Sequence, residues 1–216
     1  MATVRQLAPH LTRTMPWSVL LAGCLAGTVL LVILDNTSRF PLTSNTVRLT
    51  FLPALAGLCF VPHVHFRPVV QTAPVPSWVA AAGHTLLAVP ILAGTFAVQL
   101  RLMADSFPVH QPIKPPAVYP LAAQFIGWAA LAILAATWSD RTRYANLNGA
   151  VAAPIAMSVI AAAWLIPQLH RFFDTSQAHP GAAIRTWYLV AACATIGSWL
   201  TVRDQWHRYT RLITAR

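Results

Sequence analysis

Six long apolar runs that contain no Asp or Glu constrain the fold of this chain more than any other feature. The runs cover residues 17–34, 49–66, 78–100, 118–138, 149–169 and 182–202. Each is close to the roughly 20 residues that an α-helix needs to cross a hydrocarbon core of about 30 Å. Only 9% of the residues are charged and 56% are hydrophobic, which is not the composition of an ordinary soluble domain. We therefore predict an all-α integral membrane protein with six transmembrane helices, forming one domain over residues 1–216.

Tryptophans and basic residues lie at the ends of these runs. Trp17, Trp78, Trp138 and Trp187 occupy the positions expected of an interfacial aromatic belt. The formal net charge is +10, but the basic residues stand singly or in pairs beside apolar runs, as membrane-flanking charges do. The lipid bilayer is thus the expected partner of this surface, and we expect no nucleic-acid binding.

The distribution of basic residues predicts how the chain crosses the membrane. With the N-terminus in the cytoplasm, nine basic residues fall on the cytoplasmic side and six on the other side. This bias favours a plasma (inner) membrane protein with both termini cytoplasmic and with 203–216 as a cytoplasmic tail. Residues 1–16 form an interfacial arm, either a short amphipathic helix on the inner membrane face or a passive segment.

The chain lacks the motifs of the common catalytic sites. It contains no G-x-x-x-x-G-K-[ST], no H-E-x-x-H and no Ser-His-Asp constellation, so we predict no enzymatic activity, no metal site and no cofactor of its own. His84 is the only clearly intramembrane titratable side chain. It either relays a proton or binds a ligand, or it is a neutral imidazole hydrogen-bonded to a neighbouring helix. The histidines and tryptophans leave a haem- or quinone-linked redox subunit as an alternative.

Small residues in the apolar runs predict close helix packing. Gly23 and Gly27 have the small-x-x-x-small spacing that lets two membrane helices approach closely. Cys24, Cys59 and Cys193 are isolated, with no C-x-x-C motif, and are expected to behave as small packing residues.

Two stretches carry a resemblance to a known family. The stretch FLPALAGLCFVPHVHFRPVVQTAPVPSW looks like the segment of actinobacterial permeases in which a proline-containing second span leads into a polar turn before span three. Residues 119–167 are similar in rhythm to span four of that group and the loop and span that follow it. With the six-span layout, the chain resembles the permease subunits of type-2 ATP-binding-cassette exporters over most of its length. Members often carry a glutamate in the loop between spans two and three, and this chain has none.

The resemblance implies a function and a set of partners. The loop after span two would form a coupling helix on a P-loop ATPase subunit, with Arg67, Val70 and Gln71 making the contacts. ATP would be bound by that partner, and a second permease chain, identical or homologous, would complete the translocation path. The uncharged, alanine- and leucine-rich spans favour an apolar or amphipathic cargo. A plain proline-rich connector in place of the coupling helix, and a structural or assembly subunit of a larger membrane complex, remain the alternatives.

Overall fold

A computed structural model describes residues 12–13, 15–37, 44–62, 77–106, 118–139, 148–165 and 180–214. These residues contain six long α-helices and no β-strand, so the predicted all-helical fold is confirmed for the described part of the chain. The helices are α1 (Trp17–Thr37), α2 (Ser44–Leu58), α3 (Ser77–Ser106), α4 (Val118–Ser139), α5 (Asn148–Leu165) and α6 (Pro180–Thr214).

Three helical segments are long and apolar enough to cross a membrane. They are Trp17–Thr37 in α1, Ala81–Ala104 in α3 and Val118–Ser139 in α4. A fourth segment, Gly149–Ala163 in α5, is apolar but shorter. The helices are therefore consistent with a membrane protein, while the full set of six crossings stays a prediction.

The second helix differs most from its predicted run. It begins at Ser44, five residues before the predicted start, because Ser and Asn are favoured at helix N-termini although they are not apolar. It ends at Leu58, and residues 59–62 form turns held by backbone hydrogen bonds to the carbonyl three residues earlier. Pro62 has no N–H and disfavours helical conformation at the residue before it, which accounts for the early end.

Two other helices extend more than five residues beyond the predicted runs. The third run was predicted to end at residue 100, but α3 continues to Ser106. Likewise α6 continues to Thr214, through most of the predicted tail 203–216. Charged residues such as arginine have high helix propensity, so they end an apolar run without ending a helix.

Close contacts show that α2 runs antiparallel to α1 and α5. Gly23 packs against the carbonyl of Pro53, and Gly27 packs against the carbonyl of Thr50. Later residues of α1 therefore contact earlier residues of α2. This confirms the close packing predicted from the glycine spacing. The Phe60 ring, just past the end of α2, lies against Gly149 at the start of α5.

The fourth helix runs parallel to both α2 and α6. Phe51 of α2 stacks on Phe125 of α4, and the thiol of Cys59, just after α2, donates to the Ala132 carbonyl. Later residues of one segment therefore contact later residues of the other. The same order holds for α4 and α6, because Gly127 contacts Trp187 and the later Leu134 contacts the later Gly197. Thus α1 and α5 point one way, and α2, α4 and α6 point the other way. These directions are the ones that an up-and-down bundle requires.

Much of the outer surface of the bundle is apolar. On α1, one narrow stripe is buried, while large aliphatic side chains face outward; Leu25, for example, is 66% exposed. In water such a surface would be a large exposed apolar patch, whereas in a bilayer it contacts acyl chains. The exposed aliphatic residues of α1 are Val19, Leu21, Leu25, Val29, Leu30, Val32 and Ile33.

Hydroxyl groups in these apolar helices are satisfied within their own helix. Thr28 donates to the Cys24 carbonyl at 2.9 Å, and Thr95 donates to the Ile91 carbonyl at 2.9 Å. Ser198 does the same to the Ala194 carbonyl at 2.8 Å. These bonds to the residue four positions earlier need no water, which suits a helix in an apolar environment.

The core is centred on α4 and contains a chain of aromatic rings. Phe125 stacks on Phe51 at 4.4 Å between ring centroids and meets Phe96 edge-on at 4.9 Å. Trp128 lies 5.5 Å from Phe125 and 6.2 Å from Trp187. The prediction that Trp187 belongs to an interfacial belt is wrong, because its ring is 2% exposed and packs in this core. Trp138, in contrast, is exposed at the end of α4.

Candidate functional site

A cleft of about 570 Å³ lies between α2 and α5, with Trp128 of α4 at its wall. Its residues on α2 follow helical spacing, so they share one face: Leu49, Leu52, Pro53 and Ala56. Its residues on α5 do the same: Met157, Ile160, Ala161 and Leu165. The volume is within the roughly 300 to 1,000 Å³ of typical small-molecule sites. The cleft is therefore large enough for a ligand and is lined almost entirely by apolar side chains.

Arg48 is the one charged residue that lines this cleft among the described residues. It lies in the second turn of α2, and only 4% of its surface is exposed. Its Nη1 donates a hydrogen bond to Asn45 Oδ1 at 2.7 Å, which helps to orient the guanidinium. An arginine is planar and always charged, and it binds phosphate or carboxylate oxygens in pairs. Arg48 thus lies at the edge of the cleft, whose accessible surface is almost entirely apolar.

Trp128, at the wall of the cleft, has a buried indole N–H. Its side chain is 1% exposed, and its Nε1 has no acceptor among the described residues. Buried indole N–H groups are usually hydrogen-bonded, and leaving one unsatisfied costs on the order of 1 to 3 kcal/mol.

Buried amide groups lie next to the aromatic core, at one level of the bundle. Gln99 of α3 is fully buried, and its Nε2 donates to the Thr50 carbonyl at 3.3 Å. The approach is possible because Gly27 has no side chain; an added Cβ would lie 3.3 Å from that Nε2. The Gln99 Oε1 has no donor among the described residues. One hydrogen-bonding position of this buried amide therefore remains open.

Gln124 of α4 supplies a second open amide oxygen. It is 1% exposed, and its Oε1 has no donor within the described part of the chain. Gln124 is adjacent to Phe125, and Gln99 lies one turn after Phe96, so both amides lie near the Phe96–Phe125 contact. Gln124 also precedes Trp128 by four residues, which places the two on the same face of α4. The amides therefore lie at the level of the aromatic core, and we call Thr50, Gln99 and Gln124 the amide layer.

His84, the predicted intramembrane polar residue, is not part of this site. None of its surface is exposed. It lies fifteen residues before Gln99 on α3, which is about 22 Å along the helix. Among the described residues, no three His, Cys, Asp or Glu side chains form a group that could hold a metal ion. His84 thus belongs to a different level of the bundle.

The predicted coupling residues Arg67, Val70 and Gln71 lie outside the described residues. Sequence reasoning did not select Arg48, because it stands just before the predicted start of the second run and was treated as a flanking charge. A recognisable signal was present, since the preceding Ser and Asn favour a helix start and place Arg48 inside the helix. Sequence reasoning also did not select Trp128, which lies in the middle of an apolar run and not at its end.

No protein-family model, no curated protein and no solved structure matches this chain. The resemblance to exporter permeases therefore stays a prediction.

Proposed function

We propose that this chain is the membrane-spanning permease subunit of an exporter whose separate ATPase subunit binds and hydrolyses ATP. The observation that carries the proposal is the pair of buried glutamines, Gln99 and Gln124, on two helices of membrane-crossing length. Polar side chains inside membrane spans are costly, and they commonly mark the path of a substrate. The open amide oxygens can accept hydrogen bonds from a polar group of the cargo.

The surroundings of the glutamines favour an amphipathic cargo. The amide layer offers hydrogen bonds, while the cleft between α2 and α5 is apolar. A molecule with one polar end and one apolar end matches both surfaces, in line with the apolar or amphipathic cargo expected from the sequence. A second permease chain, identical or homologous, would complete the path, as the resemblance to exporters implies.

A structural or assembly subunit of a larger membrane complex is the second candidate. It is favoured by the apolar outer faces of α1 and α6, which contain Leu25, Leu189 and Trp199 among other exposed side chains. In a large complex these faces would pack on partner helices instead of lipid. This candidate requires stable partners but no ATPase.

Affinity purification from native membranes in a mild detergent separates these two functions. The permease proposal expects a P-loop ATPase to be recovered in a fixed ratio with the tagged chain, and cross-linking before solubilisation to join two permease chains. Recovery of a stable complex that contains no ATPase would contradict the proposal and support the assembly subunit. An unrelated tagged membrane protein from the same cells is the control for non-specific recovery.

Replacing Gln124 by leucine is expected to raise stability. The substitution removes a buried oxygen that has no donor in the described residues, and we expect a gain of about 1 kcal/mol in the free energy of unfolding. Thermal unfolding in detergent measures the effect. Gln99→Leu is the matched control, because it also removes the hydrogen bond to the Thr50 carbonyl and should gain less. A clear loss of stability for Gln124→Leu would mean that the amide is structural, which would weaken the case for a cargo contact.

A further inference from the structure

We propose that Tyr119 and Trp138 anchor this protein at the two surfaces of the bilayer, so that the hydrocarbon core lies between them and the amide layer lies near the Tyr119 surface. This placement does not depend on the permease function, and it applies equally to an assembly subunit. It requires that α4 cross the membrane, which the length and composition of this helix allow.

The exposed side chains of α4 are the basis of this proposal. Every residue of α4 is described, and only three of its side chains are exposed: Tyr119, Ile126 and Trp138. The two aromatic residues lie at opposite ends of the helix, nineteen residues or about 28 Å apart. This spacing matches a hydrocarbon core of roughly 30 Å. Tyrosine and tryptophan favour the membrane surface because each has an apolar ring and one polar hydrogen-bonding group.

The amide layer lies inside the core but close to the Tyr119 boundary. Gln124 follows Tyr119 by five residues, about 7 Å along α4. The other members of the layer lie at the same level, around the contact between Phe96 and Phe125. A polar group that reaches the amides therefore enters most directly from the leaflet at the Tyr119 end.

The direction of α3 follows from its contacts with α1. Gly27 lies against the side chain of Gln99, and the earlier Cys24 interacts with the earlier Thr95. Later residues of α1 thus contact later residues of α3, so the two helices are parallel. Because α1 is antiparallel to α2 and α2 is parallel to α4, α3 is antiparallel to α4.

This direction places His84 near the Trp138 boundary. His84 precedes Gln99 by fifteen residues, about 22 Å along α3, and Trp138 follows Gln124 by fourteen residues, about 21 Å along α4. Since the two amides share one level, His84 and Trp138 share another. The remaining buried polar side chains of α4, Thr137 and Ser139, are adjacent to Trp138. The buried polar groups of both helices therefore lie near a boundary, away from the bilayer centre, where they would be most costly.

The exposed arginines of α3 and α6 lie towards the Tyr119 boundary. Arg101 follows Gln99 by two residues, and Arg185 is in the second turn of α6, which is parallel to α4. Both lie within about 10 Å of that boundary along the helix axes. At this depth the aliphatic part of an arginine contacts acyl chains while its guanidinium reaches the interface.

Power-saturation electron paramagnetic resonance of the purified protein in liposomes tests the placement. The native cysteines are replaced by alanine, and a nitroxide is attached at Tyr119→Cys, Ile126→Cys or Trp138→Cys. Oxygen collides most with deep labels and a nickel chelate with shallow ones. We expect the oxygen-to-nickel ratio to be roughly fivefold higher at Ile126→Cys, which lies about 10 Å deeper than Tyr119. A ratio at either aromatic position as high as that at Ile126→Cys would overturn the proposal.

Two further labels on α3 test the depth of His84. Leu86 is exposed two residues after His84, so Leu86→Cys should give a ratio close to that of Trp138→Cys. Ala93→Cys is the matched control, because Ala93 is also exposed but lies near the middle of the predicted core. Equal ratios at Leu86→Cys and Ala93→Cys would contradict the placement of His84 near a boundary.

Bilayers of different thickness test the anchoring role itself. In phosphatidylcholine bilayers with short, intermediate and long acyl chains, the melting temperature should be highest where the core is closest to about 28 Å. Tyr119→Leu and Trp138→Leu lengthen the apolar band, so each should shift this optimum towards the thicker bilayer, while Ile126→Leu should not. An unchanged optimum in both anchor variants would show that these residues do not anchor the protein.

Discussion

Alanine at Gly27 is expected to destabilise the bundle by about 1 to 3 kcal/mol, the usual cost of overpacking. A Cβ at this position would lie 2.1 Å from the Thr50 carbonyl oxygen, which is backbone and cannot rotate away. Relief requires α1 and α2 to separate. That movement would also disturb the Gln99–Thr50 hydrogen bond beside the same glycine. The measurement is thermal unfolding of the purified protein in detergent, followed by circular dichroism.

The chain offers a matched control for this experiment. Gly94 in α3 has open space where a Cβ would be added, so Gly94→Ala should be neutral or stabilising by up to about 1 kcal/mol through helix propensity. Gly23→Ala should behave like Gly27→Ala, because its Cβ would meet the Pro53 carbonyl oxygen at 2.3 Å. Equal melting temperatures for the Gly27 and Gly94 variants would mean that α1 and α2 are not in close contact.

Arg67→Ala is expected to lower recovery of the ATPase at least tenfold without changing membrane yield. If the loop after α2 docks on the ATPase, truncating a hydrogen-bonded interfacial charge costs on the order of 2 to 5 kcal/mol, and each 1.4 kcal/mol corresponds to about a tenfold change in affinity. Gln71→Ala should show a smaller loss, because a neutral hydrogen bond contributes less than a charged one. ATPase recovered per tagged chain is the quantity to measure.

Arg5→Ala is the control for charge on the same predicted side of the membrane. An arginine that acts only as a topology signal is one of several, so its loss should leave ATPase recovery unchanged. Full recovery with both Arg67→Ala and Gln71→Ala would identify the loop as a connector. The permease proposal would then need a different coupling contact.

The all-helical fold could be predicted from the apolar runs, but the helix ends could not. Hydropathy detects what can enter a bilayer, whereas helix length also depends on charged residues with high helix propensity, as in α6 beyond residue 202. The close packing of Gly23 and Gly27 was predictable, because small residues four apart share one helix face. The residues of α2 that they contact could not be predicted, since the spacing of small residues does not indicate which helix packs against them.

The candidate site was less predictable than the fold. His84 was singled out because it is titratable, whereas Gln99, Gln124 and Trp128 contain buried polar atoms that have no partner among the described residues. Glutamine and tryptophan are common enough in membrane helices that a sequence alone gives no reason to select these three. Their significance comes from burial without a partner, which only the packing of five helices determines.

The location of Gln71 relative to the membrane decides whether α2 crosses, as the six-span arrangement requires. Six crossings with a cytoplasmic N-terminus place the loop after α2 in the cytoplasm and the loop after α3 outside. If only the three helices α1, α3 and α4 crossed, these two loops would exchange sides. A cytoplasmic ATPase can reach Gln71 in the first case and cannot in the second.

Single-cysteine labelling in intact cells makes this measurement. Cys24, Cys59 and Cys193 are first replaced by alanine, and Gln71→Cys or Gln111→Cys is then introduced. A membrane-impermeant maleimide should label Gln111→Cys before lysis and Gln71→Cys only after lysis. Labelling of Gln71→Cys in intact cells would contradict the six-span arrangement and, with it, the proposed contact between this loop and an ATPase.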